Sequence, residues 1–230
     1  MNDTTTVRIL DHRTPEERER EFLPGMGKPW LLPLYDVFSR FSRVRPLHER
    51  TVALADIAPG QSVLDVGCGT ANLSLAVLRA QPAARVTGLD PDAAALRLAA
   101  RKASRLREPL TLVQGFAERL PADDGSLDHI VSSLALHHVP DEARVRFGSE
   151  ALRVLRPGGK VTIVDFGRAD GAHGRSGRGH SAVAANPHTA RNLEGGLLRL
   201  LADAGFTDAR EVAHVEHRFG PITFVQATRD

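Results

Sequence analysis

Cysteine is all but missing from this chain: Cys68 stands alone among 230 residues, so no disulfide forms within the chain and no thiolate cluster can hold a metal. Folding is left to a hydrophobic core, as suits a reducing compartment, and Cys68 reads as a small buried filler. Aromatic residues are scarce as well, at 5% with one Trp and one Tyr. A net charge of +2 is spread over interspersed Lys, Arg, Asp and Glu. No basic block of the kind that neutralises nucleic-acid phosphates stands out, so nucleic acid is not the expected partner. Long apolar runs are lacking too. Met1 to Thr6 is polar, Pro15 to Glu21 is charged, and no segment reads as a signal peptide or a membrane span. The expectation is a soluble, cytoplasmic protein, monomer or homodimer.

What is present is an apolar fraction of 42%, enough for one α/β domain to bury a core unaided. Residues 1–21 read as polar and loosely ordered. Phe22 to Val44 gather Trp30, Tyr35, Phe38 and Phe41, and Leu31, Leu34, Tyr35, Phe38 and Phe41 fall at helical spacing, which predicts an amphipathic lid. The organisation expected is therefore an N-terminal and lid segment, 1–44, and a main domain, 45–230. A helix over 47–56 stops at Pro59-Gly60. Strands are then expected at 62–66, 85–89, 110–113, 128–133 and 160–165, with helices at 72–80, 92–103 and 141–154. Arg156 to Lys160 reads as a compact turn. From 167 to about 190 the composition turns to Gly, Arg, His, Ser and Ala, which predicts a mobile loop. A helix at 192–204 and two β-rich runs, Ala209 to His217 and Pro221 to Thr228, close the chain. Alternating β and α units predict a Rossmann-like, doubly wound, mostly parallel α/β sheet, to which the last hairpin adds an antiparallel strand.

One stretch carries most of the chemistry. Val63-Leu64-Asp65-Val66-Gly67-Cys68-Gly69-Thr70-Ala71-Asn72 joins an apolar strand ending in an acid to a glycine turn and then a helix. Glycines let the backbone turn and approach a ligand closely. A second acid, Asp90, ends the next apolar run about 20 residues on, where such folds place a carboxylate on ribose hydroxyls. A nucleoside cofactor follows. The glycines do not fit the dinucleotide pattern, because Asn72 stands where its third glycine belongs. Asp65 would also repel a pyrophosphate, yet it suits an ammonium.

These motifs resemble the class I S-adenosylmethionine-dependent methyltransferases, in the branch that includes ubiquinone and menaquinone biosynthesis enzymes and many small-molecule methylases. The likeness covers about 45 to 165. It also rests on Gly88-Leu89-Asp90, Gly115-Phe116-Ala117-Glu118 with Leu120-Pro121, the run Leu127 to Val139, and Leu155-Arg156-Pro157-Gly158-Gly159. Ala71 departs from it, since the family usually has glycine there; Ala suffices if φ stays negative.

The resemblance implies S-adenosyl-L-methionine as cofactor and methyl transfer to a small-molecule acceptor on oxygen, carbon or nitrogen. It implies Asp65 and the Gly67 carbonyl at the methionine amino end and Asp90 on the ribose. Phe116, Ala117 or Glu118, and Leu89 would flank adenine, with Cys68, Gly69, Asn72, Pro91 and Ser133 completing the cofactor set. His138, with His137 beside it, follows the fourth strand where a base would face the acceptor. Tyr35 on the lid could attract the sulfonium through its ring face, worth roughly 0.5–2 kcal/mol. No metal site is expected: one cysteine argues against arsenic methylation, and no carboxylate cluster supports catechol chemistry. Methylation of RNA or protein, for which only Arg168, Arg175, Arg178 and Arg191 speak, and a non-catalytic cofactor binder are the alternatives.

Overall fold

The computed structural model describes residues 7–20, 44–167, 192, 195–217 and 220–230. The elements are β1 (Ile9–Asp11), α1 (Pro15–Glu19), α2 (Val44–Ala55), β2 (Ser62–Val66), α3 (Asn72–Ala80), β3 (Arg85–Asp90), α4 (Ala93–Leu106) and β4 (Leu110–Gln114). They continue with β5 (Leu127–Ser133), α5 (Asp141–Val154), β6 (Leu155–Phe166), α6 (Gly196–Asp203), β7 (Arg210–His217) and β8 (Gly220–Thr228). The strands form one sheet in the order β1-β4-β3-β2-β5-β6-β8-β7. Neighbours from β1 to β6 are parallel, and β8 runs against both β6 and β7. The expected architecture is present, with helix and strand bounds close to those read from the sequence.

Strands buried on both faces explain the near-continuous Val, Ile and Leu runs. Successive residues alternate sides: Leu64, Val113, Ile130 and Ile163 join one core with Phe147 and Leu201, whereas Val63, Leu112 and Val131 join another with Leu75, Leu78 and Leu96. Phe147 is fully buried, and removing such a ring costs about 3–5 kcal/mol.

Two expectations need correction. Residues 9–19 are ordered, not loose: Ile9, Leu10 and Asp11 add an edge strand beside Leu112, Val113 and Gln114. The helix after it opens on a capping box between Thr14 and Glu17, a signal present in the sequence. The expected turn at Arg156–Lys160 is instead an excursion inside β6, where the pairing jumps from Leu127↔Leu155 to His129↔Lys160. It is held by Gly158 N–H on the Arg229 carbonyl (2.7 Å) and Arg229 N–H on the Gly159 carbonyl (2.8 Å). Gly159 must be bare there, since a Cβ would lie 2.8 Å from the Arg156 carbonyl oxygen. The lid at 22–43 with Trp30, Tyr35, Phe38 and Phe41, and the stretch 168–190 with its arginines, lie outside the described residues, as does Arg191.

Candidate functional site

Parallel strands deliver their carboxyl ends to one side of the sheet, and the order reverses between β3-β2 and β2-β5, where a crevice opens. A cavity of about 380 Å³ lies there, lined from the ends of β2 and β3, the turn after β4, and the loop after β5. Asp65, Gly67, Cys68, Gly69, Asn72, Asp90, Pro91, Phe116, Ala117, Ser133 and His138 all line it. The sequence-predicted cofactor set is thus brought together. His137 is not among the lining residues, and Tyr35 falls outside the described chain.

The glycine turn is dictated partly by protein packing. Gly67 has φ +72°, and a Cβ on it would lie 2.3 Å from the Ala135 Cβ in the loop after β5. The N–H groups of Gly67 and Cys68 both donate to the Leu89 carbonyl (2.8 and 3.0 Å), tying this turn to β3. Ala71 caps α3 with φ +63°, so the expected negative φ does not hold. A left-handed Ala costs about 1 kcal/mol. Lys102 on α4 fastens the strained turn through Thr70 Oγ1 (2.9 Å) and Asn72 Oδ1 (2.8 Å).

Of the two strand-end acids Asp65 is buried and Asp90 half-buried. Asp65 Oδ2 accepts from Ser74 Oγ (2.6 Å), and burial pushes its carboxyl up to about 7. Asp90 accepts from the N–H of Gly69 and the N–H of Asp92 (2.8 Å each); burial raises it to about 6. Asp92 in turn caps α4 through the N–H groups of Ala94 and Ala95. Among the described residues neither Asp65 nor Asp90 has a basic ion-pair partner. A ligand that brings hydrogen-bond donors or a cation to these two acids would favour their charged forms.

At the far end Phe116 lines the wall with the Arg20 guanidinium 4.7 Å from its ring centroid. Arg20 also pairs with Glu118, which Arg146 meets at 3.4 Å. The Glu118 carboxylate, one of the groups expected at adenine, is therefore engaged by arginines. Arg20 was not legible as a site residue, because its place depends on β1 and α1 docking at the sheet edge.

The loop after β5 carries the histidines. Leu134 stands at φ +53°, and a short 3-10 turn follows at Leu136–His138. His137 Nδ1 lies 2.7 Å from Asp165 Oδ1 and its N–H donates to Asp165 Oδ2 (3.0 Å). Burial alone would raise Asp165; the facing His137 charge and the hydrogen bonds from His137 and the Phe166 N–H outweigh it and hold the carboxyl below its ordinary value. The His137 ring packs 4.0 Å, centroid to centroid, from that of His138, the histidine that reaches the cavity. Ser133 Oγ is buried and lacks a partner among the described residues. Asp165 and His48, which also lines the cavity, have no sequence signature; only the strand order brings them in. No group of three or more His, Cys, Asp or Glu side chains placed to hold a metal occurs among the described residues.

Residues 63–159 match a family described as a methyltransferase domain. A demethylmenaquinone methyltransferase of Bacillus cytotoxicus is 35% identical over 136 residues, covering 57% of this chain and 56% of the relative. The match thus spans little more than half of that relative's length. Among solved structures, a Haemonchus contortus phosphoethanolamine N-methyltransferase 2 with S-adenosyl-L-methionine superposes with TM-score 0.71 at 15% identity, over 89% of this chain and 58% of that one. A SAM-dependent methyltransferase from Aquifex aeolicus gives 0.65 at 19% identity, over 88% and 99%. Sheet order and cavity agree with these likenesses: residues 63–159 are similar to a methyltransferase domain, just over half of the chain is similar in sequence to demethylmenaquinone methyltransferases, and the fold is that of the solved methyltransferase structures.

Proposed function

We propose that this chain binds S-adenosyl-L-methionine in the crevice beside β2 and transfers its methyl group to a small-molecule acceptor. The observation that carries the reading is the pair of strand-end carboxylates that line the crevice, Asp65 buried and Asp90 half-buried, both raised and without a cation among the described residues. A ligand with an ammonium at one end and a diol further along satisfies both, whereas a diphosphate satisfies neither. When bound, the cofactor supplies a methyl carbon already activated by a sulfonium. Asp65 and the Gly67 backbone hold the amino end, Asp90 accepts from the ribose hydroxyls, and Phe116, Ala117 and Leu89 pack on adenine.

The acceptor side needs mainly alignment and exclusion of water, and orientation of reactants reaches effective molarities of about 10⁵ M or more. His138 takes the proton from a phenol, enol or amine. The relatives named demethylmenaquinone methyltransferases support a quinone precursor or similar ring as acceptor. No described helix is long and apolar enough to cross a membrane, and a cytoplasmic setting accords with the single cysteine. Transfer of radiolabel from S-adenosylmethionine to a panel of quinone precursors, phenols and amines tests the reading. Labelled product is expected, with loss of turnover in His138→Ala; cofactor uptake without any labelled product would mark a binding protein instead.

A further inference from the structure

Helix α4 turns Ala95, Leu96, Ala99 and Ala103 inward, against the sheet edge formed by β3, β4 and β1. Arg97, Arg101 and Arg105 repeat every fourth residue on the opposite face and are exposed. None of the three has an ion-pair partner among the described residues. Elsewhere surface arginines find carboxylates: Arg45 meets Glu49, Arg153 meets Asp124, Arg156 meets Asp128 and Arg210 meets Asp208. On α4 like charges stand four apart instead, which weakens a helix, and Arg101→Glu would turn both repulsions into attractions. Of the acids nearby, Asp92 caps the helix through Ala94 and Ala95 and Asp11 is held by Arg13 and Arg18, which leaves Glu108. Helix stability does not explain the stripe.

Apolar side chains stand at the same border. Ile9 and Leu10 on β1 and Leu106 at the end of α4 are three of the four large apolar residues that are exposed among the described ones. Ile9 is in register with Leu112, a member of the core beneath α4, so it faces the α4 side of the sheet. Cationic and aliphatic groups thus share one edge of a protein in which no described helix is long and apolar enough to cross a membrane. This composition fits the surface of an anionic bilayer, where guanidinium groups meet headgroup phosphates and aliphatic groups reach the acyl boundary. A nucleic acid would satisfy the arginines and leave the aliphatic groups in water.

We propose that the edge formed by α4 and β1 is a docking surface for an anionic lipid bilayer, with Arg97, Arg101 and Arg105 on the phosphates and Ile9 and Leu106 at the acyl boundary. The amino end of α4 reaches the crevice through Asp92 and Ala95, so docking sets the crevice rim beside the lipid and lets an apolar acceptor enter from it. That consequence rests on the acceptor reading above; the lipid binding does not.

Co-sedimentation of the full chain with vesicles of phosphatidylcholine alone, and of phosphatidylcholine mixed with phosphatidylglycerol, tests it. The wild type is expected on the mixed vesicles, to be released by salt, and to stay off the neutral ones. Arg97→Gln, Arg101→Gln and Arg105→Gln combined should weaken capture tenfold or more. Arg45→Gln, Arg156→Gln and Arg210→Gln combined remove equal charge elsewhere and should change it less than threefold, with far-UV circular dichroism verifying the fold of both variants. No capture of the wild type by the mixed vesicles, equal losses in the two triple variants, or tighter retention of a DNA or RNA duplex that the same three α4 substitutions abolish would overturn the assignment. Methyl transfer to soluble phenols or amines is read separately, so its failure would sink the activity proposed above and leave the lipid surface standing.

Discussion

The two ends of the sheet treat their carboxylates in opposite ways. At the amino ends of the strands Asp128 accepts from the Ser62 N–H and pairs with Arg156, and Asp208 accepts from the Thr228 N–H and pairs with Arg210. Burial works to raise both, but the hydrogen bonds and the arginines prevail and hold them below the ordinary carboxylate range. At the carboxyl ends Asp65 is buried and Asp90 half-buried; both have hydroxyl or amide donors alone, and rise to about 7 and about 6. Positive φ at non-glycine residues does not separate the ends, since Ala71 and Leu134 lie at this one and Asp56 and Arg107 at the other. What separates them is charge: one end closes its carboxylates off with arginines, and the other leaves Asp65 and Asp90 without a cation among the described residues. Asp165 is the exception that sharpens the contrast: it stands at the carboxyl end and is held down by its partner His137 and by the N–H groups of His137 and Phe166.

Three substitutions probe that contrast, in descending order of effect. Asp165→Ala strands the His137 ring and leaves the N–H groups of His137 and Phe166 without their acceptor, so denaturant unfolding should show a loss of about 3 kcal/mol. A loss below 1 kcal/mol would mean that the pair is not the anchor of the loop after β5. Ala71→Gly relieves the left-handed conformation and should raise stability by about 1 kcal/mol, with S-adenosylhomocysteine affinity kept or improved; destabilisation would show that the turn is not strained. Arg156→Ala removes a half-exposed ion pair at the opposite end and should cost less than about 1 kcal/mol, leaving ligand affinity untouched.

Much of this was readable before any coordinates. The glycine turn, Asp90 and the β/α alternation depend on local chemistry, and they fall where the sequence places them. The edge strand Ile9–Asp11 was missed because three residues carry too little periodicity to register, although the Thr14 to Glu17 capping box lay in plain view. Arg20, His48 and Asp165 escaped for another reason. Each enters the site from an element that the topology carries in, and nothing in its own neighbourhood marks it. Ala71 shows the converse: the departure from glycine was visible, but its φ is set by the Lys102 clasp and the packing of α3, which no local pattern encodes.

The central claim is that Asp65 meets a cation in this crevice. In the folded protein its carboxyl keeps a proton, between about 4 and about 7, that the unfolded chain would release. Folding stability from this group is therefore present at low pH and falls as pH rises through that window. An ammonium seated against Asp65 must lower its pKa and expel the proton. Calorimetry of S-adenosylhomocysteine binding at pH 7, repeated in buffers of differing ionisation enthalpy, should report release of up to about half a proton from the wild type, and correspondingly less from Asp65→Asn. Equal proton release by the two proteins, or tight binding of a pyridine dinucleotide with none of S-adenosylhomocysteine, would contradict the account.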